Sequence, residues 1–109
     1  HIREKTTIGT IDLFDFDAFH KRAGIGILID ADYRKKGYAS MALKCLIGYC
    51  FKTLGLHQLY CNILENNCES IELFGKQGFT RIGIKKDWIK SAEGYINEHM
   101  FQLINPEEK

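Results

Sequence analysis

The sequence predicts a mixed α/β (α+β) domain with the element order β-β-α-β-α-β-β. Three observations predict it: period-two alternation near the start, a long helical spacing in the middle, and two extended runs at the end. From Ile8 to Phe16, apolar Ile11 and Leu13 alternate with polar Thr10 and Asp12, as in a half-buried strand. Asp15, Asp17, His20 and Lys21 break that run and read as a turn. Ala23 to Asp30 is a short apolar run, which fits a second strand buried on both faces. Gly24 and Gly26 within it signal a bulge or a close approach to the backbone.

The helical spacing follows. Apolar residues recur at Ala39, Ala42, Leu43, Leu46, Ile47, Cys50, Phe51 and Leu54, alternating gaps of three and one that trace one helix face. Gly55 supplies the stop. His57 to Leu64 returns to strand character, and Asn66 or Asn67 caps a second helix that runs to about Lys76 and ends at Gly78. Phe79 to Ile89 and Tyr95 to Ile104 form two final strands joined by a turn near Ser91 to Gly94, and 105–109 reads as a frayed tail. The central strand–helix–strand unit implies a right-handed crossover between parallel strands, and the flanking hairpins imply antiparallel edges. Helices therefore pack against a mixed sheet.

Composition narrows the function classes. A chain of 109 residues has room for one domain, and 45% apolar with 27% charged residues is a globular balance. Fifteen Lys and Arg against fourteen Asp and Glu leave a net charge of +1, without the cationic field that nonspecific nucleic-acid binding relies on. No apolar run approaches the roughly 20 residues of a membrane span. Cys45, Cys50, Cys61 and Cys68 contain no C-x-x-C spacing and read as buried free thiols of a reducing, cytoplasmic setting. His1, His20, His57 and His99 are scattered, so no metal site is expected.

The densest chemical signal is Arg34-Lys35-Lys36-Gly37-Tyr38-Ala39-Ser40, between a buried strand and the long helix. Amides at a helix start have no intrahelical partner, and the helix dipole adds positive charge there. Gly37 permits close approach of the main chain, and three cationic side chains share the spot. That is an anion cradle suited to phosphate. A solvated basic loop is the competing reading, but the strand–loop–Gly–helix setting favours the cradle. The segment lacks the G-x-x-x-x-G-K-[ST] run of a nucleotide P-loop, and Gly24-Ile25-Gly26 does not open a helix as a dinucleotide fingerprint does.

R-K-K-G-Y-A resembles the [QR]-x-x-G-x-[GA] signature of the GNAT (Gcn5-related) N-acetyltransferases. Asn67 to Phe79, NCESIELFGKQGF, resembles the same family's N-x-x-S-x-x-L-[YF]-x-x-x-G-F segment. Within the family, IGTIDLFDFD, YCFKTLGLHQLY and GIKKDWIK are most similar to the RimJ/RimL and spermidine acetyltransferase branch. The resemblance runs from Ile8 to Ile104 and implies acetyl-CoA as cosubstrate, with no metal. It places Ile27, Leu28 and Ile29 on the strand whose backbone meets the pantetheine arm. It sets Arg34, Lys35, Lys36, Gly37, Tyr38 and Ala39 around the pyrophosphate, with Ser40 assisting. Asn67 would bond the cofactor or cap its helix, and the residues from there to Lys76, Phe74 among them, would line the channel.

The family's reaction is direct attack of an amine on the thioester, so the site must take up a proton, stabilise an oxyanion and protonate a thiolate. Many members place a tyrosine acid where this chain has Phe74, and some carry a glutamate on the cofactor strand, where Ala23 to Ile29 has no carboxylate. The catalytic acid and base are therefore not assigned. Asp15, Asp87 and Glu98 are base candidates but read as solvated strand-end charges, and water-mediated proton removal is the default. Tyr38, Tyr49 and Tyr60 read as core or rim aromatics. His57 and His99 read as packing or surface residues, and a Cys61–His57 pair fails because that strand spacing separates them by ~13 Å.

The family's domain begins with a strand and two helices ahead of the segment matched here, so the chain is expected to be one partial domain, 1–109, with its acceptor half incomplete. The exposed sheet edge then invites a homodimer. The expected function is acetyl transfer to a primary amine, on a protein N-terminus, a lysine or a small polyamine. A non-catalytic acyl-CoA-binding or regulatory module is the alternative. Neither nucleic acid nor membrane is an expected partner.

Overall fold

The computed structural model describes residues 9–29 and 38–107. The strands are β1 (Gly9–Asp17), β2 (Arg22–Ile29), β3 (Gln58–Leu64), β4 (Thr80–Ser91) and β5 (Gly94–Ile104). The helices are α1 (Tyr38–Gly48), which continues into a π-helical turn (Tyr49–Thr53), and α2 (Cys68–Lys76). This is the expected order. The strands form one sheet, β1-β2-β3-β5-β4, in which β2 and β3 are parallel and the other neighbours antiparallel.

The strand text pairs as its alternation requires. Ile11 lies opposite Ile27 and Leu13 opposite Ile25. The expected turn at Asp15 is instead a β-bulge: Asp15 takes φ 51°, and the strand continues through Asp17. The turn comes after it. There the Asp17 carboxylate accepts the His20 backbone N–H at 2.9 Å, and that bond, with one from the His20 ring, holds the Asp17 pKa down at about 2.

Strand parity decides which face is buried. Leu59, Cys61 and Ile63 of β3 are buried, and opposite them stand Leu103, Phe101 and His99 of β5. Ala23 and Ile25 of β2 join the same core, as do Leu43 and Cys50 from the α1 segment and Phe74 from α2. Both helices therefore cover one face of the sheet. The opposite face carries Tyr60 and Asn62 beside Gln102 and Met100, and no helix covers it among the described residues.

The helix face read from the spacing is the face that packs: Leu43 and Cys50 are buried, and Leu46, Ile47, Phe51 and Leu54 pack against them. The end of the run widens into a π-turn, in which the Leu54 N–H bonds the Tyr49 carbonyl at 3.0 Å. The thiols divide two and two. Cys50 and Cys61 are buried as expected, whereas Cys45 and Cys68 are exposed. Cys45 lies off the apolar stripe beside Lys44, and Cys68 is the first residue of α2. For α2, Asn67 is the cap, its Oδ1 accepting the Ser70 N–H at 3.2 Å. Gly78 ends the turn that follows at φ 101°, a conformation side chains resist.

Strands β1 and β4 are the edges. β4 carries Arg81, Lys85, Lys86 and Lys90 and two register breaks, devices that discourage another chain from adding to it. Phe74 is 1% exposed and packs on Phe79 with ring centroids 5.1 Å apart. Phe74→Ala is expected to lower the unfolding free energy by about 3–5 kcal/mol, read as a lower urea midpoint.

Candidate functional site

Parallel pairing of β2 with β3 is recorded only where Arg22, Ala23 and Gly24 face Gln58, Leu59 and Tyr60. Beyond that rung the strands part. Between them opens a cleft of about 60 Å³, walled on the β2 side by Ile25, Gly26 and Ile27 and on the β3 side by Cys61, Asn62 and Ile63. Ser70 and Phe74 of α2, with its cap Asn67, form its back. Diverging parallel strands present backbone N–H and C=O groups along their inner edges, so an extended amide-bearing chain finds hydrogen-bond partners there.

The last paired rung is closed by an aromatic contact. Phe14 of β1 lies over Gly24 so closely that a Cβ there would collide with the ring. Phe14 also meets Tyr60 edge-on, with centroids 5.8 Å apart. The Tyr60 hydroxyl donates to Asp15 Oδ2 at 3.4 Å, and burial, with the nearby Asp15 charge, raises its pKa. Gly24 thus answers a close approach, as its sequence context anticipates, by a ring of the same sheet.

The structure brings together three of the residues singled out from sequence: Ile27, Asn67 and Phe74 share the cleft. Leu28 and Ile29 continue the β2 backbone beyond it. Tyr38 opens α1 and Ala39 and Ser40 follow in its first turn, where Ser40 Oγ accepts the Gln77 side-chain N–H at 3.2 Å. Arg34, Lys35, Lys36 and Gly37 lie outside the described residues. Lys76 is absent from the cleft lining; it is exposed and pairs with Glu72 at 3.8 Å. Ser70 falls within the 67–76 segment expected to line the channel, whereas Ile25, Gly26, Cys61, Asn62 and Ile63 are lining residues that sequence reasoning did not assign to it. The alternation of β3 marks Cys61 and Ile63 as inward, but only the parting of two strands distant in sequence makes a cleft of them.

Cys61 is the one titratable side chain in the described lining, and the others stand around this space. Burial pushes the Cys61 thiol up to about 12, so Cys61 is a neutral wall at physiological pH. On the open face of the sheet, Lys85 Nζ donates to Asn62 Oδ1 and to Glu98 Oε1, each at 3.4 Å, and sits 4.8 Å from the Trp88 ring centroid. Glu98 is thus a paired, mostly buried carboxylate, not the solvated strand-end charge expected. Asp87 fits that expectation better: its backbone N–H is held by Asn97 Oδ1 at 2.8 Å on an exposed stretch. His99 is buried between Glu65 at 3.4 Å and Arg81 at 3.5 Å, a packed histidine. No group of three His, Cys, Asp or Glu side chains positioned to hold a metal ion occurs among the described residues, nor is any described helix long and apolar enough to cross a membrane.

Residues 1–80 match the family model described as acetyltransferase (GNAT) domain, and the chain belongs to that family. An uncharacterized N-acetyltransferase of Bacillus licheniformis is 32% identical over 100 residues, covering 92% of this chain and 56% of that protein. The spermidine N(1)-acetyltransferase of Vibrio cholerae is 28% identical over 80 residues, covering 73% of this chain and 46% of that protein. Its solved dodecamer matches this fold with a TM-score of 0.81 at 22% identity, over 90% of this chain and 57% of that one. The crystal structure of a probable acetyltransferase matches with a TM-score of 0.83 at 25% identity, over 93% of this chain and 56% of that one. The chain spans about half the length of the curated relatives it matches.

The thiol environments are directly measurable. Native protein is expected to react with a thiol reagent at Cys45 and Cys68 only, and at all four cysteines once unfolded. Because folding raises the Cys61 pKa from 9.0 to about 12, the unfolded state loses that proton first as pH rises. Stability is then complete below pH 9 and falls progressively toward pH 12, a slope that Cys61→Val should flatten in urea melts.

Proposed function

We propose that this chain is the acetyl-CoA-binding part of an N-acetyltransferase that moves an acetyl group to a primary amine by direct attack. The observation that carries the reading is the parting of β2 and β3 after Gly24 and Tyr60, with Asn67 and Phe74 behind it. The residues fit the cosubstrate in kind: strand edges offer amide partners to the pantetheine arm, and Ile25, Ile27, Ile63 and Phe74 offer apolar contact to a thioester beside the polar Asn62, Asn67 and Ser70. The cleft volume suits only the reactive end, so the diphosphate is assigned to Arg34 through Ser40, as the family motif implies. Membership of the family, and relatives named as N-acetyltransferases, support the same reading.

When bound, acetyl-CoA supplies an electrophilic carbonyl and a thiolate leaving group. Cys61 does not compete as nucleophile, because its thiol stays protonated at neutral pH, and this favours direct transfer over an acyl-enzyme. Phe74 has no proton to give, and the described lining holds no carboxylate or imidazole, so water would serve both to protonate the leaving group and to take the proton of the amine. The acceptor class is a primary amine, with a small polyamine suggested by the spermidine acetyltransferases among the relatives. The reading also places the protein in the cytoplasm, where free thiols persist.

A second reading, a non-catalytic acyl-CoA-binding module, draws on one observation: the only ionisable side chain in the described cleft lining is the high-pKa thiol of Cys61. Thiol release from acetyl-CoA across an amine panel separates the two. Amine-dependent release supports the enzyme, and CoA binding without release supports the module. Gly37→Val is expected to weaken CoA binding at least tenfold by calorimetry with the thermal melt unchanged, and unaltered affinity would remove the diphosphate assignment. We also propose self-association through a sheet edge, for which light scattering should give twice the chain mass, whereas a monomer at high concentration would refute it.

A further inference from the structure

We propose that Glu98 and Asn62 form the ammonium subsite for the acceptor amine, and that Lys85 occupies it until the acceptor arrives. The proposal rests on the acyl-transfer reading of the cleft. Both helices cover one face of the sheet, so α2 closes the cleft from behind, and an acceptor reaches a thioester held between β2 and β3 from the other face. Asn62 belongs to both places: it walls the cleft, and its Oδ1 accepts a hydrogen bond from Lys85.

The register explains why these groups meet. Asn62 and Leu64 alternate with the buried residues of β3 and so share the open face with Met100 and Glu98, while Lys85 stands directly opposite Glu98 on β4. The outcome is a site built for a primary ammonium: a carboxylate, an amide oxygen and an indole ring around Lys85 Nζ. The host is firmer than the guest. Glu98 is 16% exposed, a largely covered carboxylate on the open face that calls for a cation, whereas Lys85 is 32% exposed on a flexible stem. Both bonds to Nζ are 3.4 Å, longer than a close ammonium–oxygen bond, and such partly exposed pairs contribute little to stability. An incoming aliphatic ammonium replaces Lys85 like for like, with the Trp88 ring beside it, and no bond of the backbone changes.

This assignment predicts effects of opposite sign from two neighbouring substitutions. With acetyl-CoA saturating and spermidine as the probe amine, Glu98→Gln is expected to raise KM about tenfold or more and change kcat by less than about twofold. Lys85→Gln is expected to lower KM severalfold, because the resident competitor is gone and Glu98 is left without its cation. If Lys85→Gln raises KM as Glu98→Gln does, the cluster is structural and the proposal is overturned; unchanged KM in both overturns it equally. Should Glu98→Gln fail to fold, the sign of the Lys85→Gln effect decides alone. Calorimetric titration with CoA keeps the two readings apart, since both variants should bind it as the unaltered protein does. If the unaltered protein binds no CoA, the acyl-transfer reading has failed; direct titration with spermidine then still tests the subsite, and equal affinity of Glu98→Gln and unaltered protein would overturn it.

Discussion

The interruption of one parallel ladder governs this molecule. Three rungs join β2 to β3, and then the sheet divides along its middle while its outer pairings continue. A gap in a sheet leaves main-chain groups without neighbours, which is costly unless something else bonds them. Here the hairpins on either side brace the two halves. β1 holds β2 through a register extending from Gly9 to Asp17, and β5 holds β3 along its whole length. The core beneath is continuous across the division, since Ile25, Cys61 and Phe74 belong to one packed cluster. The opening is therefore a supported feature of a folded sheet.

Much of the architecture was legible in local text. The period-two pattern around Leu13, the three-and-one spacing from Ala39 to Leu54, and Asn67 and Gly78 at the ends of α2 are all short-range signals, and the elements form where they point. Two of the departures are also local. Asp15 reads as a turn residue because aspartate favours one, yet the bulge lets it remain in the strand, where it accepts the Tyr60 hydroxyl. Cys45 and Cys68 are apolar by type and were assigned to the interior, but helix phase and a helix start leave them in solvent. Residue type gave way to position.

The site was legible only in part, for a different reason. Asn67, Phe74 and Ile27 carry family spacing, and they converge. Asn62, Glu98 and Lys85 carry none: a polar residue on an alternating strand reads as its solvent face, and nothing in the local text says that three strands bring these residues within one bond of each other. Such constellations depend on cross-strand register: Asn62 and Lys85 lie 23 residues apart in sequence, on strands that meet only through β5. Periodicity predicts faces. Register decides neighbours.

The hydrogen bond from the Gln77 side chain to Ser40 spans 37 residues and ties the end of α2 to the first turn of α1. With the Phe14–Tyr60 clasp across the last rung, it means that the opening is fastened by contacts from separate parts of the chain. A slot fastened in this way resists being pried wider, so its dimensions are set before any guest arrives. Discrimination then falls on the shape and length of what slides in, and little conformational freedom remains to be surrendered when it does.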